Sequence, residues 1–518
     1  MNELLVEEAV KLPQINYGAL SPMLILFGVA CLGVLLEAFV PARSRYRVQF
    51  PVALAGLVSS LVAVVLLAGE KTLTAASAVA IDGPALFLQG SILVLGLVSL
   101  LLIAERAVET GGPFVAKAAV NADTDADLAQ ADRDQGATEV FPLVLFALAG
   151  MMLFASANDL LTMFIALEVF SLPLYLLAGL ARRRRLLSQE AALKYFLLGA
   201  FASAFFVFGI ALVYGFAGQI GFTEIDTAIL SSDRSDTLLY AGLGMVAIAL
   251  LFKAAAVPFH VWTPDVYQGS PTPVTALMAA CTKVAAFGGL LRVLHVGFAR
   301  AEWNYVPVLG GIAAITMILG AVLAVTQTDI KRLLAYSSIA NAGYLLVGVL
   351  AVGSGQRGVA SSLFYLVAYG FTVLAAFGVV TLVRDGNEEA THLSRWAGLG
   401  RRSPVFASLF TFVLLAFAGI PLTAGFTSKF GVFAAAVDAG QTWLVIVGVV
   451  SSAVLAFPYL RVVVMMWLSE PVEHAPTVVV PGMLTAAALG IGTVATLALG
   501  VVPAPLLDLT TRAADFVR

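Results

Sequence analysis

Fourteen apolar runs, most of them about as long as a helix needs to cross roughly 30 Å of hydrocarbon, follow one another along this 518-residue chain. They are Leu20 to Val40, Phe50 to Gly69, Pro84 to Ala104, Phe141 to Ala155, Leu160 to Leu180, Ala191 to Phe216 and Leu238 to Pro258, then Val274 to Val296, Val306 to Val325, Leu333 to Val352, Val359 to Val383, Val405 to Val437, Trp443 to Leu468 and Val479 to Val502. Inside a bilayer no water satisfies backbone N–H and C=O groups, so such runs must close their hydrogen bonds as helices. Charged residues are only 12% of the chain against 60% hydrophobic, where soluble domains carry about a quarter charged. The expectation is an all-α polytopic membrane protein with about 14 transmembrane helices.

Lysine and arginine placement orients it. Counting from an outside N-terminus, the odd-numbered loops hold Arg43, Arg45, Arg47, Arg106, Lys117, Arg133, Arg182 to Arg185, Lys331, Arg332, Arg384, Arg395, Arg401 and Arg402. The other side holds only Lys11, Lys71, Arg234, Arg300, Arg357, Arg512 and Arg518. The positive-inside bias therefore puts both termini outside. Glu3, Glu7 and Glu8 stand where a signal peptide is basic, so the first run reads as a retained helix. The acidic loop from Glu105 to Glu139 reads as a solvated cytoplasmic connection. A net charge of -3 without a basic tail excludes nucleic acid as a partner. Cys31 and Cys281 lack the spacing of a metal or iron–sulfur site, so no redox centre or other cofactor is expected in this chain.

Against this background four ionisable residues stand out. Lys253, Lys283 and Lys429 lie inside apolar runs, and Glu168 does the same in Leu160 to Leu180. Each costs about 2.5–3.5 kcal/mol at mid-membrane depth on insertion scales, a cost that proton or ion transport explains. Two of the runs are also interrupted. Pro258 lacks an N–H and frees the carbonyl of Ala254 beside Lys253, while Gly419, Pro421 and Gly425 precede Lys429. Irregular backbone at membrane depth is tolerated where it is buried in protein or lines a hydrated cavity, so two discontinuous helices are expected there.

The wording around these residues is Glu168-Val-Phe-Ser-Leu-Pro-Leu-Tyr175, Ala191-Ala-Leu-Lys194-Tyr, Phe252-Lys253-Ala-Ala-Ala-Val-Pro258-Phe-His260-Val-Trp262-Thr-Pro264-Asp265, Thr282-Lys283-Val-Ala-Ala-Phe-Gly, Asp329-Ile-Lys331-Arg332 and Gly419-Ile-Pro421-Leu-Thr-Ala-Gly425-Phe-Thr-Ser-Lys429. Across residues 139 to 468 this resembles the antiporter-like membrane subunits of respiratory complex I, the proton-pumping NADH:quinone oxidoreductase, and within them the subunit N branch. One departure is Pro421-Leu422 where many relatives carry a double proline.

The resemblance implies two inverted five-helix units, each with a half-channel, joined by a central polar axis. It divides the chain into residues 1–138 (three helices and the acidic loop), 139–300 and 301–470 (the half-channel units) and 471–518 (a last helix). It implies that Glu168 pairs with Lys253, that Lys194 adjoins them, that Lys283 is the central relay and that Lys429 serves the outlet. FMN, iron–sulfur clusters and quinone would belong to partner subunits. Those partners would be other membrane subunits and a peripheral redox arm, in a bacterial inner membrane. The physics runs parallel: burial favours a neutral amine and a nearby carboxylate favours an ammonium, so moving Glu168 relative to Lys253 would switch proton occupancy.

Plainer roles compete with these. Lys194, Glu37, Arg292 and Arg461 lie toward run ends and can snorkel to the interface. His260 suits proton shuttling but equally suits a packing role beyond the break. Asp329, Lys331 and Arg332 read as a helix cap with positive-inside charges. As function classes, a multisubunit sodium/proton antiporter shares the fold and the lysines, and a structural spacer would leave pumping intact when the lysines become alanine.

Overall fold

Every apolar run is helical, and the order of helices follows the order of runs. The computed structural model describes residues 15–109, 112–115, 137–231, 234–386 and 388–517, so most of the acidic loop and the glutamates near the N-terminus lie outside the described residues, as do Lys11, Lys117, Arg133 and Arg518. The helices are α1 (Ser21–Phe39), α2 (Ala42–Leu66), α3 (Gly83–Ala104), α4 (Val140–Ser156), α5 (Leu160–Ala178), α6 (Arg185–Ala217), α7 (Phe222–Ser231), α8 (Asp236–Ala254) and α9 (Trp262–Gly269). There follow α10 (Thr272–Gly297), α11 (Glu302–Val325), α12 (Ile330–Val349), α13 (Gln356–Leu382), α14 (Pro404–Ala418), α15 (Ala424–Asp438), α16 (Thr442–Leu468), α17 (Met483–Val501) and α18 (Ala504–Arg512).

Among the described residues, eleven helices are long and apolar enough to cross a membrane, and α4 and α14 are shorter apolar helices. The run Val405 to Val437 is divided into α14 and α15 of 15 residues each, and the serines, tyrosines and asparagine of α12 dilute its hydropathy. Helix α2 begins at Ala42, well before the apolar run that marks it. Its polar first turns are held by partners: the Tyr46 hydroxyl donates to the Ala104 carbonyl at 2.7 Å, Gln49 to the Gly33 carbonyl at 2.7 Å, and Arg45 pairs with Glu37 at 2.8 Å. Hydropathy cannot see those bonds. Aspartates start three of the crossing helices: Asp82 accepts from the Ala85 N–H, Asp159 from Thr162, and Asp329 from Lys331 and Arg332, each satisfying N–H groups that a helix start leaves orphaned.

Burial sorts the helices into a centre and a ring. The apolar stretch of α10 is 100% buried and that of α13 94%, whereas those of α1 and α17 are only 28% buried. A helix apolar all round belongs in a core or in lipid, and here the central rods take the first option while the outer ones keep a lipid-facing side. Short strands decorate the connections. Antiparallel β1 (Thr72–Thr74) and β2 (Val79–Ile81) link α2 to α3. At the opposite, arginine-rich end, β3 (Val383–Asp385) lies between β4 (Glu388–Glu389) and β5 (Thr477–Val478).

Both expected interruptions are present. Helix α8 stops at Ala254, Ala255 takes a left-handed φ of +62°, and the chain turns before α9; the Phe252 carbonyl accepts both the Ala255 N–H at 3.1 Å and the Trp262 indole N–H at 3.0 Å. Between α14 and α15, Gly419 has φ +84° and Leu422 φ +70°, so the break stands without a second proline. The sequence gives no warning of a third irregularity. Helix α10 carries two π-helical stretches, Met278–Thr282 directly before Lys283 and Val293–Gly297 directly after Arg292. Such bulges widen the spiral by one residue and frequently mark functional positions.

Candidate functional site

Lys253 sits in the last turn of α8, only 4% exposed. Its ammonium lies 5.1 to 5.3 Å from the ring centres of Tyr195, Tyr175 and Phe170, and 5.8 Å from that of Phe252. Ring faces attract a desolvated cation, by about 2 kcal/mol in favourable cases. Its hydrogen bonding is sparse: Nζ donates to the Tyr175 hydroxyl at 3.5 Å, one long bond for three donors. Glu168, two turns earlier than Tyr175 on α5, accepts a hydrogen bond from the Ser203 hydroxyl of α6. No ion pair joins Glu168 to Lys253 among the described residues, so the pairing implied by the resemblance is not a direct contact in this state.

Lys283 begins the α-helical segment after the first π stretch of α10. At 1.5 Å per residue it lies about 17 Å from the Thr272 end, near half the thickness of the hydrocarbon. Its Nζ donates to the Ser338 carbonyl of α12 at 2.7 Å and lies 5.4 Å from the Tyr369 ring centre. Lys429 is the best satisfied of the three. It donates to the Phe417 and Ala418 carbonyls at 3.0 and 3.2 Å and to the Ser452 hydroxyl at 2.8 Å, and lies 4.9 Å from the Tyr344 ring centre. Those carbonyls end α14, where unpaired acceptors and the helix dipole favour a cation. The break therefore makes the lysine's binding place: Pro421 has no N–H to offer the Phe417 carbonyl, and a helix continued through Gly419 would spend the Ala418 carbonyl on the Leu422 N–H. Gly425 fits this turn closely, because a Cβ there would overlap the Ala416 carbonyl.

Between Lys283 and Lys429 runs a buried polar stripe of α12. Ser337 shares a hydrogen bond with Tyr459 at 2.5 Å, Asn341 donates to the Ser337 carbonyl at 2.8 Å, and the Tyr365 hydroxyl donates to Asn341 at 2.6 Å. A cavity of about 10 Å³ is bounded by Asn341, Tyr365, Tyr369, Phe417 and Lys429. That is roughly the room of one water. Sequence reasoning missed Asn341, Tyr365, Tyr369 and Tyr459. The spacing of Ser337, Asn341 and Tyr344 (i, i+4, i+7) was the available signal.

The remaining sequence candidates are placed differently. Lys194 is 42% exposed and pairs with Glu190 at 2.6 Å and Asp265 at 2.7 Å, away from Glu168. Asp265, missed at the sequence level, also receives Arg332 at 2.7 Å. His260 is half-buried in the turn between α8 and α9, and its Nδ1 has no hydrogen-bond partner among the described residues. Asp329 caps α12 as expected, but Lys331 is buried rather than interfacial: it donates to the Ser270 carbonyl at 2.8 Å and approaches Glu389 to 3.7 Å. Arg292 does not snorkel. It is fully buried and pairs with Asp82 of the α3 cap at 2.6 Å, a contact that hydropathy cannot anticipate.

Comparisons with known proteins decide the family. The model described as NADH:quinone oxidoreductase/Mrp antiporter, TM, matches residues 157–456, a stretch that holds Glu168, Lys194, Lys253, His260, Lys283 and Lys429. NADH-quinone oxidoreductase subunit N of Salinispora arenicola is 67% identical over 516 residues, covering 98% of this chain and 99% of its own length. The chain belongs to the subunit N family of NADH-quinone oxidoreductases. A chain of respiratory complex I from Thermus thermophilus is 34% identical with a TM-score of 0.75, covering 94% of this chain and 98% of that one. A chain of an Mrp complex from a Dietzia species reaches a TM-score of 0.80 at 24% identity, over 96% of this chain and 97% of that one. The Mrp likeness shows a shared fold. Sequence identity separates the subunit N family from it.

Proposed function

We propose that this chain is a proton-translocating membrane subunit of a respiratory NADH:quinone oxidoreductase, carrying protons through Glu168, Lys253, Lys283 and Lys429 as quinone is reduced elsewhere in the complex. The observation that carries the relay is the burial of three lysines, each at an irregularity of its helix: the end of α8, the π stretch of α10 and the α14–α15 break. A structural ion pair needs no such backbone, and buried ionisable groups inside membranes mark transport routes by default. Lys194 and His260 lie toward the basic end and would serve proton uptake.

On this reading the chain makes fourteen crossings, counting α8–α9 and α14–α15 as one interrupted crossing each. Residues 139–300 and 301–470 form two inverted half-channel units, flanked by residues 1–138 and 471–518. The arginine-rich end faces the cytoplasm of a bacterial cell and both termini lie outside. The chain is part of an enzyme and holds no redox centre itself; FMN, iron–sulfur clusters and quinone are handled by partner subunits of the membrane and redox arms. The test is to purify the tagged chain with its partners, then compare NADH:quinone turnover and proton pumping in Lys283→Ala and Glu168→Ala complexes. Both activities should fall together in assembled complexes. Wild-type pumping by an assembled Lys283→Ala complex sinks the relay. A partner set made only of membrane proteins, with sodium-dependent proton exchange and no NADH oxidation, moves the chain to the antiporter class, which the shared fold makes the second reading.

A further inference from the structure

Glu168 and Lys253 do not touch, so a proton passing between them needs intermediate groups. Helix α5 supplies a row of them. Glu168, Ser171 and Tyr175 stand at i, i+3 and i+7, the spacing that puts three side chains on one helix face. Ser171 is fully buried between the other two, its hydroxyl donates to the Leu167 carbonyl one turn back and leaves its oxygen able to accept, and Tyr175 is 6% exposed. At the upper end of the row Tyr175 Oη receives the 3.5 Å bond from Lys253 Nζ. At the lower end the Ser203 hydroxyl of α6 is bonded to Glu168.

Helix α6 leaves room for this row. Gly199 stands one turn before Ser203, and a Cβ at Gly199 would come within 2.0 Å of the Tyr175 hydroxyl oxygen. The notch takes the outer edge of the Tyr175 ring together with its oxygen, since Cζ would lie only 2.7 Å from that Cβ. Two other walls of the Lys253 cage, Phe170 and Phe252, show that ring faces alone do not require a hydroxyl. Position 175 combines the cage with a group that both donates and accepts.

We propose that Tyr175 and Ser171 are relay residues that carry protons between Lys253 and Glu168, with Gly199 as the notch that seats the Tyr175 hydroxyl. The inference rests on the relay reading above. In one transfer the Lys253 ammonium gives a proton to Tyr175 Oη while the phenolic proton leaves toward Ser171. The serine oxygen accepts it and, as its O–H turns away from the Leu167 carbonyl, releases its own proton toward the Glu168 carboxylate. Each hydroxyl gains one proton and loses one, so neither is left charged; the lysine ends as an amine and the glutamate as a carboxylic acid. Successive groups rise about 4.5 and 6 Å along the helix, a spacing that side-chain reach and one bridging water close.

The test compares Tyr175→Phe, Ser171→Ala and Lys253→Ala in purified, fully assembled complex, reading NADH:quinone turnover, proton pumping and the solvent deuterium isotope effect on turnover. Tyr175→Phe keeps the ring and the cage and removes only the hydroxyl. Turnover and pumping should fall on the order of tenfold or more, the lower end of what a positioned proton-transfer group contributes, and the isotope effect should rise as proton transfer becomes limiting. A packing defect would not raise it. If Tyr175→Phe does not assemble, Ser171→Ala, which deletes one small hydroxyl, carries the test with the same expected signature. Wild-type turnover and isotope effect in assembled Tyr175→Phe, with Lys253→Ala inactive, overturn this inference and leave the lysine relay standing. Wild-type pumping in Lys253→Ala overturns the underlying reading as well.

Discussion

The Asp82–Arg292 pair allows a test of the fold that does not depend on function. The pair joins the start of α3 to α10, the rod that carries Lys283, at 2.6 Å with both side chains at most 1% exposed. Only Arg292 Nη2 makes this bond, Nε and Nη1 having no acceptor among the described residues, and Asp82 additionally receives the Ala85 and Val517 N–H groups. Removing one partner of a buried pair leaves an uncompensated charge, at about 3–5 kcal/mol. Asp82→Asn keeps a capping oxygen and removes only the charge, so a loss near the lower bound, about 3 kcal/mol, is expected. Arg292→Met should cost a similar amount by stranding the carboxylate. The double variant should recover most of it, to within about 1–2 kcal/mol of the parent, since a neutral buried pair has no desolvated charge to compensate. Cys281 reports the opening: it is fully buried on α10, whereas Cys31 is exposed and is first replaced by serine. A loss of about 3 kcal/mol raises the rate at which a thiol reagent reaches Cys281 in detergent on the order of a hundredfold, when reclosing outpaces labelling. Labelling of Asp82→Asn within a few-fold of the parent, or a double variant as labile as the worse single one, refutes the reasoning.

Other outcomes follow from the geometry. Lys253→Arg should lose turnover and pumping in an assembled complex, because a guanidinium effectively never releases its proton; retained activity would mean a fixed charge suffices. Gly425→Ala pushes against the Ala416 carbonyl and displaces the acceptors that hold Lys429, so turnover should drop while NADH oxidation by an artificial electron acceptor persists. Asp265→Asn weakens partly exposed pairs with Lys194 and Arg332, worth about 0–1 kcal/mol, so thermal stability should barely move; a shift of many degrees would show the cluster to be structural. Trp262→Phe removes the indole donor and leaves the Phe252 carbonyl with the Ala255 N–H alone, costing about 1 kcal/mol and loosening the turn beside Lys253, which proteolysis or hydrogen exchange at residues 255–261 would register.

The candidate site was unevenly legible in the chain. Lys253, Lys283 and Lys429 could be found because a charge in an apolar run is anomalous in one dimension, and the breaks near two of them are written in proline and glycine. Lys194, near the start of its run and read as able to snorkel, is 42% exposed and faces Asp265, because α6 starts at Arg185, ahead of its apolar segment. The π stretch before Lys283 left no local trace, since Met278–Thr282 is as good an α-helix sequence as its neighbours.

Helix existence, order and membrane character follow from the sequence alone, because hydropathy and backbone satisfaction act within each segment and need no distant partner. The lysine and arginine asymmetry belongs with them, being a sum over loops. Partnership is different. Arg292 and Asp82 are separated by 210 residues, Lys283 reaches a carbonyl 55 residues away, and Lys331 pairs across to Glu389. Periodicity tells which side of its own helix a residue occupies but not which helix comes to face it. Only the packed bundle settles whether a polar group is stranded, paired or wired to a neighbour, because in a dry interior its energy depends on atoms within a few ångströms, whatever their distance along the chain.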